Sequence, residues 1–383
     1  MYCVDLTILE ESGQEPRLIC EYSGDQSMLK AYREGKDLYA VIASSMYNNR
    51  YEDNLEYYPE GTEIIFNKKK VICGNKTHLN KAGKARRFEA KSVLIGILYG
   101  RGAASIAEQI NENRKDPKNI CTKNEAQEIV NKFFKAYPAV KNWITKTQED
   151  ARKYGYVEDW YGRRRRLPDI NLPRYDIRPL TKKEETNFNP LMGCENRQDN
   201  ALIDKYTNVL LKTRSKKDFE EVRKRARIEG LEIRDNSGFI SQAERQSVNA
   251  RVQGGAATLT KLAMINIDNN EELRSLDFNL SITVHDEVLG ECPEENAERV
   301  MELLPKVMVD TAEKYFEIPM ACDPYVEKCW YLSEWTNAVE NEYKKLCSEV
   351  TSEEALETLL KNHAEASEEE IIQIVNNLLN KSN

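Results

Sequence analysis

Residues 84–100, KARRFEAKSVLIGILYG, constrain the chain more than any other segment, because their pattern predicts a helix from Lys84 to Tyr99 closed by Gly100. Arg87, Lys91, Ile95 and Tyr99 recur every four residues along it. Each such step overshoots a full turn by about 40°, so the four side chains occupy a stripe about 120° wide and about 18 Å long. One face therefore carries two cations, then an aliphatic group, then an aromatic ring. That order suits a nucleoside triphosphate, with cations on the phosphates and apolar and aromatic groups near sugar and base. An ordinary amphipathic helix with a basic N-terminal end would share the pattern.

A second segment, Ile282 to Leu289 (ITVHDEVL), sets apolar residues on either side of His285, Asp286 and Glu287. It predicts two short strands that lift adjacent carboxylates to a hairpin tip. Magnesium takes hard oxygen ligands and keeps several waters, so one or two carboxylates plus substrate phosphates can hold it. A hydrogen-bonded turn would account for the same residues. In the third segment, AERQSVNARVQGG from Ala243, the residues Arg245, Asn249 and Gln253 form a polar stripe on a predicted helix. Such a stripe could face a groove of duplex DNA or simply solvent.

Composition sets the background. Hydrophobic residues make up 40% of the 383 positions and charged residues 31%, enough apolar surface to bury a core. No run of about 18 apolar residues occurs and the start lacks a secretory pattern, so no membrane span is predicted and a soluble, cytoplasmic chain is expected. The nine cysteines include no CxxC pair and there are three histidines, which predicts reduced thiols and argues against structural zinc. A metal would have to be held by carboxylates. The net charge of -8 argues against a nucleic-acid partner only when taken whole, since residues 337–383 alone contribute -6. Local basic clusters stand out in the rest: Lys84 to Arg101, the run Arg163 to Arg166, and Lys212 to Arg227. Each alone reads equally as a solvated or salt-bridged face.

Along the chain, Tyr2 to Leu9 reads as a strand, and Glu15 to Tyr22 and Met28 to Tyr47 as helices, the latter broken at Gly35-Lys36-Asp37. Glu63 to Asn75 has a hairpin pattern, Ile106 to Asn111 and Asn124 to Tyr154 read as helices, and Tyr161 to Pro179 as irregular. Lys182 to Gly238 reads as a charged, partly helical insertion, Ser241 to Asn269 as a long helix, and Glu294 to Tyr315 as helical. The acidic tail spaces Leu356, Leu359, Leu360, Ile371, Ile374, Val375 and Leu378 as an amphipathic helix would.

Taken in order, these segments resemble family A DNA polymerases, the group of bacterial polymerase I and phage replicases. RRFEAKSVLIGILYG is similar to the fingers-helix motif and VHDE to the palm hairpin motif. YGRRRRLPDI and ERQSVNARVQGGAA resemble two further family segments, and SGQEPRLICEYSGDQSMLKAYREGKDLYAVIAS resembles the first palm motif and the helix after it. The resemblance implies an α+β fold with a small antiparallel palm sheet and a large, mostly helical fingers lobe. Its segments would be 1–23 (palm, first motif), 24–240 (fingers, with the insertion at about 171–240), 241–336 (palm) and a tail at 337–383. It implies transfer of a nucleotide from a dNTP to a primer 3′ hydroxyl on primer-template DNA, with two Mg2+ ions. Asp286 matches a metal ligand, with Glu287 beside it, and Arg87 and Lys91 match triphosphate binders. Tyr99 matches the ring beside the nascent pair, and Glu15 the residue that with this Tyr excludes ribonucleotides. Arg245, Asn249, Gln253 and His285 match residues near the primer-template minor groove.

The departures are as specific. The family's first metal ligand is an Asp five residues before the Glu15 position, and here that place holds Glu10. Asp5 also has an acid five residues later, but Glu15 precedes Pro16-Arg17 and lies 22 residues before Asp37, which fits the family register. Glu adds a methylene, a bond of about 1.5 Å, and misplacement by about 1 Å at a reacting centre can cost about a hundredfold. Ile95 stands where the family has a bulky Phe or Tyr, and Tyr39 where it has a His after Asp37-Leu38. Because the chain starts at the first motif, the thumb and exonuclease domain are expected to be absent and a separately encoded N-terminal half is an expected partner. The alternatives are a non-catalytic DNA-binding remnant and a single-subunit RNA polymerase, against which Glu15 and ERQSVNARVQGG argue.

Overall fold

The computed structural model describes residues 2–7, 13–66, 69–114, 119–181, 200–213, 215–327, 332–347, 351–363 and 371–375. Packing divides the chain into two units, one of residues 1–10, 259–315 and 320–383 and the other of residues 11–258 and 316–319. The boundary at Thr258 falls within one long helix, Ser237–Asp268.

In the first unit, strands β1 (Tyr2–Thr7), β8 (Asn279–Val284), β9 (Glu287–Cys292) and β10 (Asp323–Glu327) form one antiparallel sheet in the order β10-β1-β9-β8. The alternation around Ile282 to Leu289 thus folds as a hairpin, with Val284 opposite Glu287 and a two-residue turn at His285 and Asp286. His285 takes φ +56°, the sign that the tight hairpin turns demand at their first central residue. The core beneath the sheet is filled by Val288 and Cys292 of β9 and by Val300, Leu304 and Met308, spaced four apart on the helix Ala297–Glu313. Two further helices, Leu332–Leu346 and Ser352–Asn362, bury Val339, Tyr343, Ala355 and Leu359 with Ile371, Ile374 and Val375 in a small core of their own. The tail's apolar periodicity is therefore a packed face; Leu378 lies outside the described residues.

The second unit is mostly helical. Helices α1 (Gln14–Ser23), α2 (Gln26–Arg33) and α3 (Leu38–Tyr47) are punctuated by Asp25 and Asp37, each of which accepts two backbone N–H groups at a helix N-terminus. Helix α4 (Lys81–Leu98) buries Ala90, Val93, Leu94, Ile97 and Leu98, and α5 (Ala103–Arg114) and α6 (Lys123–Ala136) bury Ile106, Ala126, Ile129 and Phe133. The expected hairpin after Glu63 is β2 (Glu63–Phe66) with β3 (Lys69–Ile72).

Two expectations need correction. Asn124 to Tyr154 is not one helix: α6 ends at Ala136 and α7 (Pro138–Tyr154) begins on a proline, whose fixed φ suits a first helical position. The stretch from Tyr161 to Pro179 is not irregular. It holds β5 (Arg164–Arg166), paired with β4 (Tyr156–Glu158), and β6 (Tyr175–Pro179), paired with β7 (Leu231–Asp235). With α8 (Asn200–Lys212) and α9 (Lys216–Ile228), the β6–β7 ribbon encloses Tyr206, Leu210, Val222, Ala226, Leu231 and Ile233. The insertion is a small α/β body with its own core. Residues 182–199 lie outside the described residues.

Candidate active site

The row predicted on α4 forms as a surface feature. Arg87, Lys91, Ile95 and Tyr99 are each half-buried, flanked by the fully buried row that faces the core. The Arg87 Nε donates to Asp37 Oδ2, while Asp37 Oδ1 accepts the Tyr39 and Ala40 N–H groups at the start of α3. The Tyr39 ring lies 5.4 Å from the Arg87 guanidinium and 5.9 Å from Lys91 Nζ, measured to its centroid. One aromatic ring thus lies within cation–π reach of both cations of the stripe. Sequence reasoning missed Asp37 as the partner of Arg87: it served only to fix register, and its pairing across 50 positions has no local signature.

At the other end of the stripe, Tyr99 accepts a hydrogen bond from Gln253 Nε2 on α10 (Ser237–Asp268). Burial pushes the Tyr99 phenol above its ordinary pKa and the charge of Glu15 raises it further, against the hydrogen bond from Gln253. The structure therefore gathers Glu15, Tyr99 and Gln253, three residues singled out from separate segments. Gly100, at φ +61°, lies under Arg245: a Cβ there would stand 2.3 Å from Arg245 Cγ. Arg245 and Gln253 are exposed and Asn249 half-buried, so the predicted polar stripe of α10 faces outward.

Not all cations nearby are available. Lys84 pairs with Glu56 at 2.5 Å, and Arg86 donates to Asn54 and to the Asp53 carbonyl. Arg251 of α10 is locked as well, 4.9 Å from the Tyr22 ring and 5.4 Å from Trp143, donating to Glu158 O and Thr147 Oγ1.

In the first unit, His285 is exposed and Asp286 and Glu287 half-buried at the tip of the β8–β9 hairpin. On β1, Thr7 stands opposite Glu287, so the end of β1 reaches the same edge of the sheet as the turn. Asp5 lies further in, opposite both Leu289 and Tyr325. Glu10 lies outside the described residues. Among the described residues no three His, Cys, Asp or Glu side chains come together as a metal-binding group. Asp286 and Glu287 are nonetheless the hard oxygen donors that magnesium takes.

The sequence pattern of DNA polymerase family A matches residues 65–191 and 198–332. The chain belongs to DNA polymerase family A. It is 25% identical over 303 residues to the thermostable DNA polymerase I of Thermus thermophilus, an alignment covering 79% of this chain and 24% of that enzyme. It is 24% identical over 317 residues to DNA polymerase I of Lactococcus lactis, covering 83% and 25%. The chain thus spans about a quarter of the length of the family A relatives it matches. Its fold is similar to the POL domain of Pol1 from M. smegmatis, solved in complex with DNA primer-template and dNTP, at a TM-score of 0.55 and 19% identity over 86% of this chain and 40% of that one. No helix among the described residues is long and apolar enough to cross a membrane.

Proposed function

We propose that the chain carries out template-directed DNA synthesis, transferring a nucleotide from a dNTP to a primer 3′ hydroxyl. The observation that carries this reading is the supported stripe of α4: Lys91 and Arg87 over Tyr39 at one end, Tyr99 with Glu15 and Gln253 at the other. In this reading Lys91 and Arg87 bind the triphosphate, with Asp37 and Tyr39 holding the cations in place. Ile95 leaves a shallower apolar contact than an aromatic ring would. Tyr99 packs beside the incoming base pair, and Glu15 crowds the sugar 2′ position so that deoxynucleotides are preferred over ribonucleotides. Arg245, Asn249, Gln253 and His285 contact the primer-template, where phosphate contacts supply most of the affinity and make it salt-dependent.

Asp286 and Glu10 would hold two magnesium ions, with Glu287 beside them. When bound, such ions make the primer hydroxyl more nucleophilic and stabilise charge on the leaving pyrophosphate. The spacing to Glu15 and Asp37 favours Glu10 over Asp5. The chain would then combine a palm sheet with a fingers lobe.

Primer extension with magnesium and dNTPs tests the reading. Lys91→Ala and Asp286→Asn are expected to lower single-nucleotide incorporation at least about a hundredfold, and wild-type extension with NTPs to be weak. Wild-type incorporation rates in both variants would overturn it. A second reading, DNA binding without catalysis, is favoured by one observation, the Glu at position 10. Glu10→Asp decides between them: a gain in rate supports a competent site, and inactivity of both forms on DNA that they bind supports the second.

A further inference from the structure

The insertion carries a surface cavity of about 440 Å³, within the range of small-ligand sites. Its aromatic wall is Tyr175 of β6 and Phe219 of α9, stacked with centroids 5.8 Å apart and planes 20° from parallel. The Arg174 guanidinium extends that layer, 5.2 Å from the Tyr175 centroid. Lys216, in the first turn of α9, adds a second cation, and Glu220 and Asp235 add two carboxylates. Asp235 commits one oxygen to the Ser237 N–H at 2.8 Å, and Glu220 lies 3.9 Å from Arg223.

Several of the insertion's other cations are committed to carboxylates. Arg223 and Arg227 both pair with Glu232, Arg225 with Glu221, and Lys205 with Glu229. Among the described residues neither Arg174 nor Lys216 makes an ion pair. With two cations and two anions the cavity has no net charge, so it is poorly suited to a bare phosphate. A stacked layer ending in a guanidinium is what a nucleobase packs on, and cations beside it suit the attached phosphate. The carboxylates then become acceptors for an exocyclic amine.

We propose that this cavity binds a nucleotide whose base carries an amino group. The base stacks on the Arg174, Tyr175 and Phe219 layer, its phosphate meets Lys216 and Arg174, and its amine donates to Glu220 or Asp235. The nucleotide is either free or one unit of a single strand. The site uses none of the residues assigned to synthesis, so its test stands apart from primer extension.

The experiment uses the full chain carrying Lys91→Ala, which weakens the stripe on α4, with and without Arg174→Ala and Lys216→Ala. Both added substitutions replace exposed side chains, and unchanged melting would verify that the fold is kept. Binding of dAMP, of the single strands (dA)8 and (dT)8, and of inorganic phosphate is measured near physiological salt. The expected result is that (dA)8 binds several-fold tighter than (dT)8 and loses about tenfold when the two cations are removed. A parallel loss for dAMP assigns the site to free nucleotides, and a loss confined to (dA)8 assigns it to a strand. Equal affinities of the two proteins, equal binding of (dT)8, or binding of inorganic phosphate as tight as that of dAMP would overturn the proposal. An azidoadenine strand photocrosslinked to the chain should label the peptide holding Tyr175 or Phe219, and labelling elsewhere alone would also overturn it.

Discussion

Gly100→Ala separates two demands that the fold makes on one residue. Gly100 sits at φ +61°, where an L side chain costs roughly 1–2 kcal/mol, and its missing Cβ leaves room for Arg245 Cγ, 2.3 Å from where that atom would be. Gly24 has nearly the same φ, +62°, with nothing within 4 Å of a built Cβ, and so isolates the backbone term. Arg245 is exposed and can swing aside, at a cost of about 1 kcal/mol for leaving its rotamer. Gly24→Ala should therefore lose about 1–2 kcal/mol of stability and Gly100→Ala about 2–3 kcal/mol in urea titration. Only Gly100→Ala should slow nucleotide incorporation, by roughly tenfold to a hundredfold, because it displaces the loop joining Tyr99 to the helix that follows. In the Arg245→Ala background, where only the Cβ contact at 3.1 Å remains, most of the extra loss at Gly100 should disappear, a coupling of about 1 kcal/mol or a little less. Equal destabilisation by the two glycine substitutions, with no coupling to Arg245, would refute the close-approach argument.

Asp37→Asn should preserve the α3 cap, since Asn caps as well as Asp, and remove only the charge facing Arg87; denaturant midpoints should show Asp37→Ala lower by about 1 kcal/mol more. Identical midpoints would mean that the cap contributes nothing. Burial pushes the Glu232 carboxyl up, but hydrogen bonds from Arg227 and Arg223 outweigh it and hold its pKa below the ordinary value. A folded pKa below the unfolded one gives stability that is present above the unfolded value, about 4.3, and lost as pH falls through the folded one. Glu232→Gln should thus cost about 2 kcal/mol at neutral pH, below the usual 3–5 for a buried pair because both guanidiniums are a third exposed. Melting wild type and variant side by side should show the gap closing below about pH 4; a constant gap would exclude the ionic contribution.

What could be read from the sequence was what local geometry fixes. Four-residue spacing on a helix leaves little freedom, so the row from Arg87 to Tyr99 lies opposite the buried Val93, Gly96 and Ile97 as helical periodicity requires. Alternation around a two-residue turn likewise left one plausible hairpin for Asp286. The losses came where closure is long-range. Tyr175 to Pro179 looks irregular until Leu231 to Asp235 arrives to pair with it, more than fifty residues later, with Arg178 facing Glu232 across the ribbon. The same distance hid the meaning of the basic cluster at Lys212 to Arg227. Its main counter-ion, Glu232, lies just past the end of the run on β7 and takes two arginines at once. Counting charge along the run therefore overstated the free cations on α9. It also missed Arg174, which comes from the far side of the insertion and meets Lys216 only because β6 and β7 close. A charge run acquires meaning from the strand that packs against it, and in this chain the cations set beside an aromatic wall come from two segments of the insertion some forty residues apart.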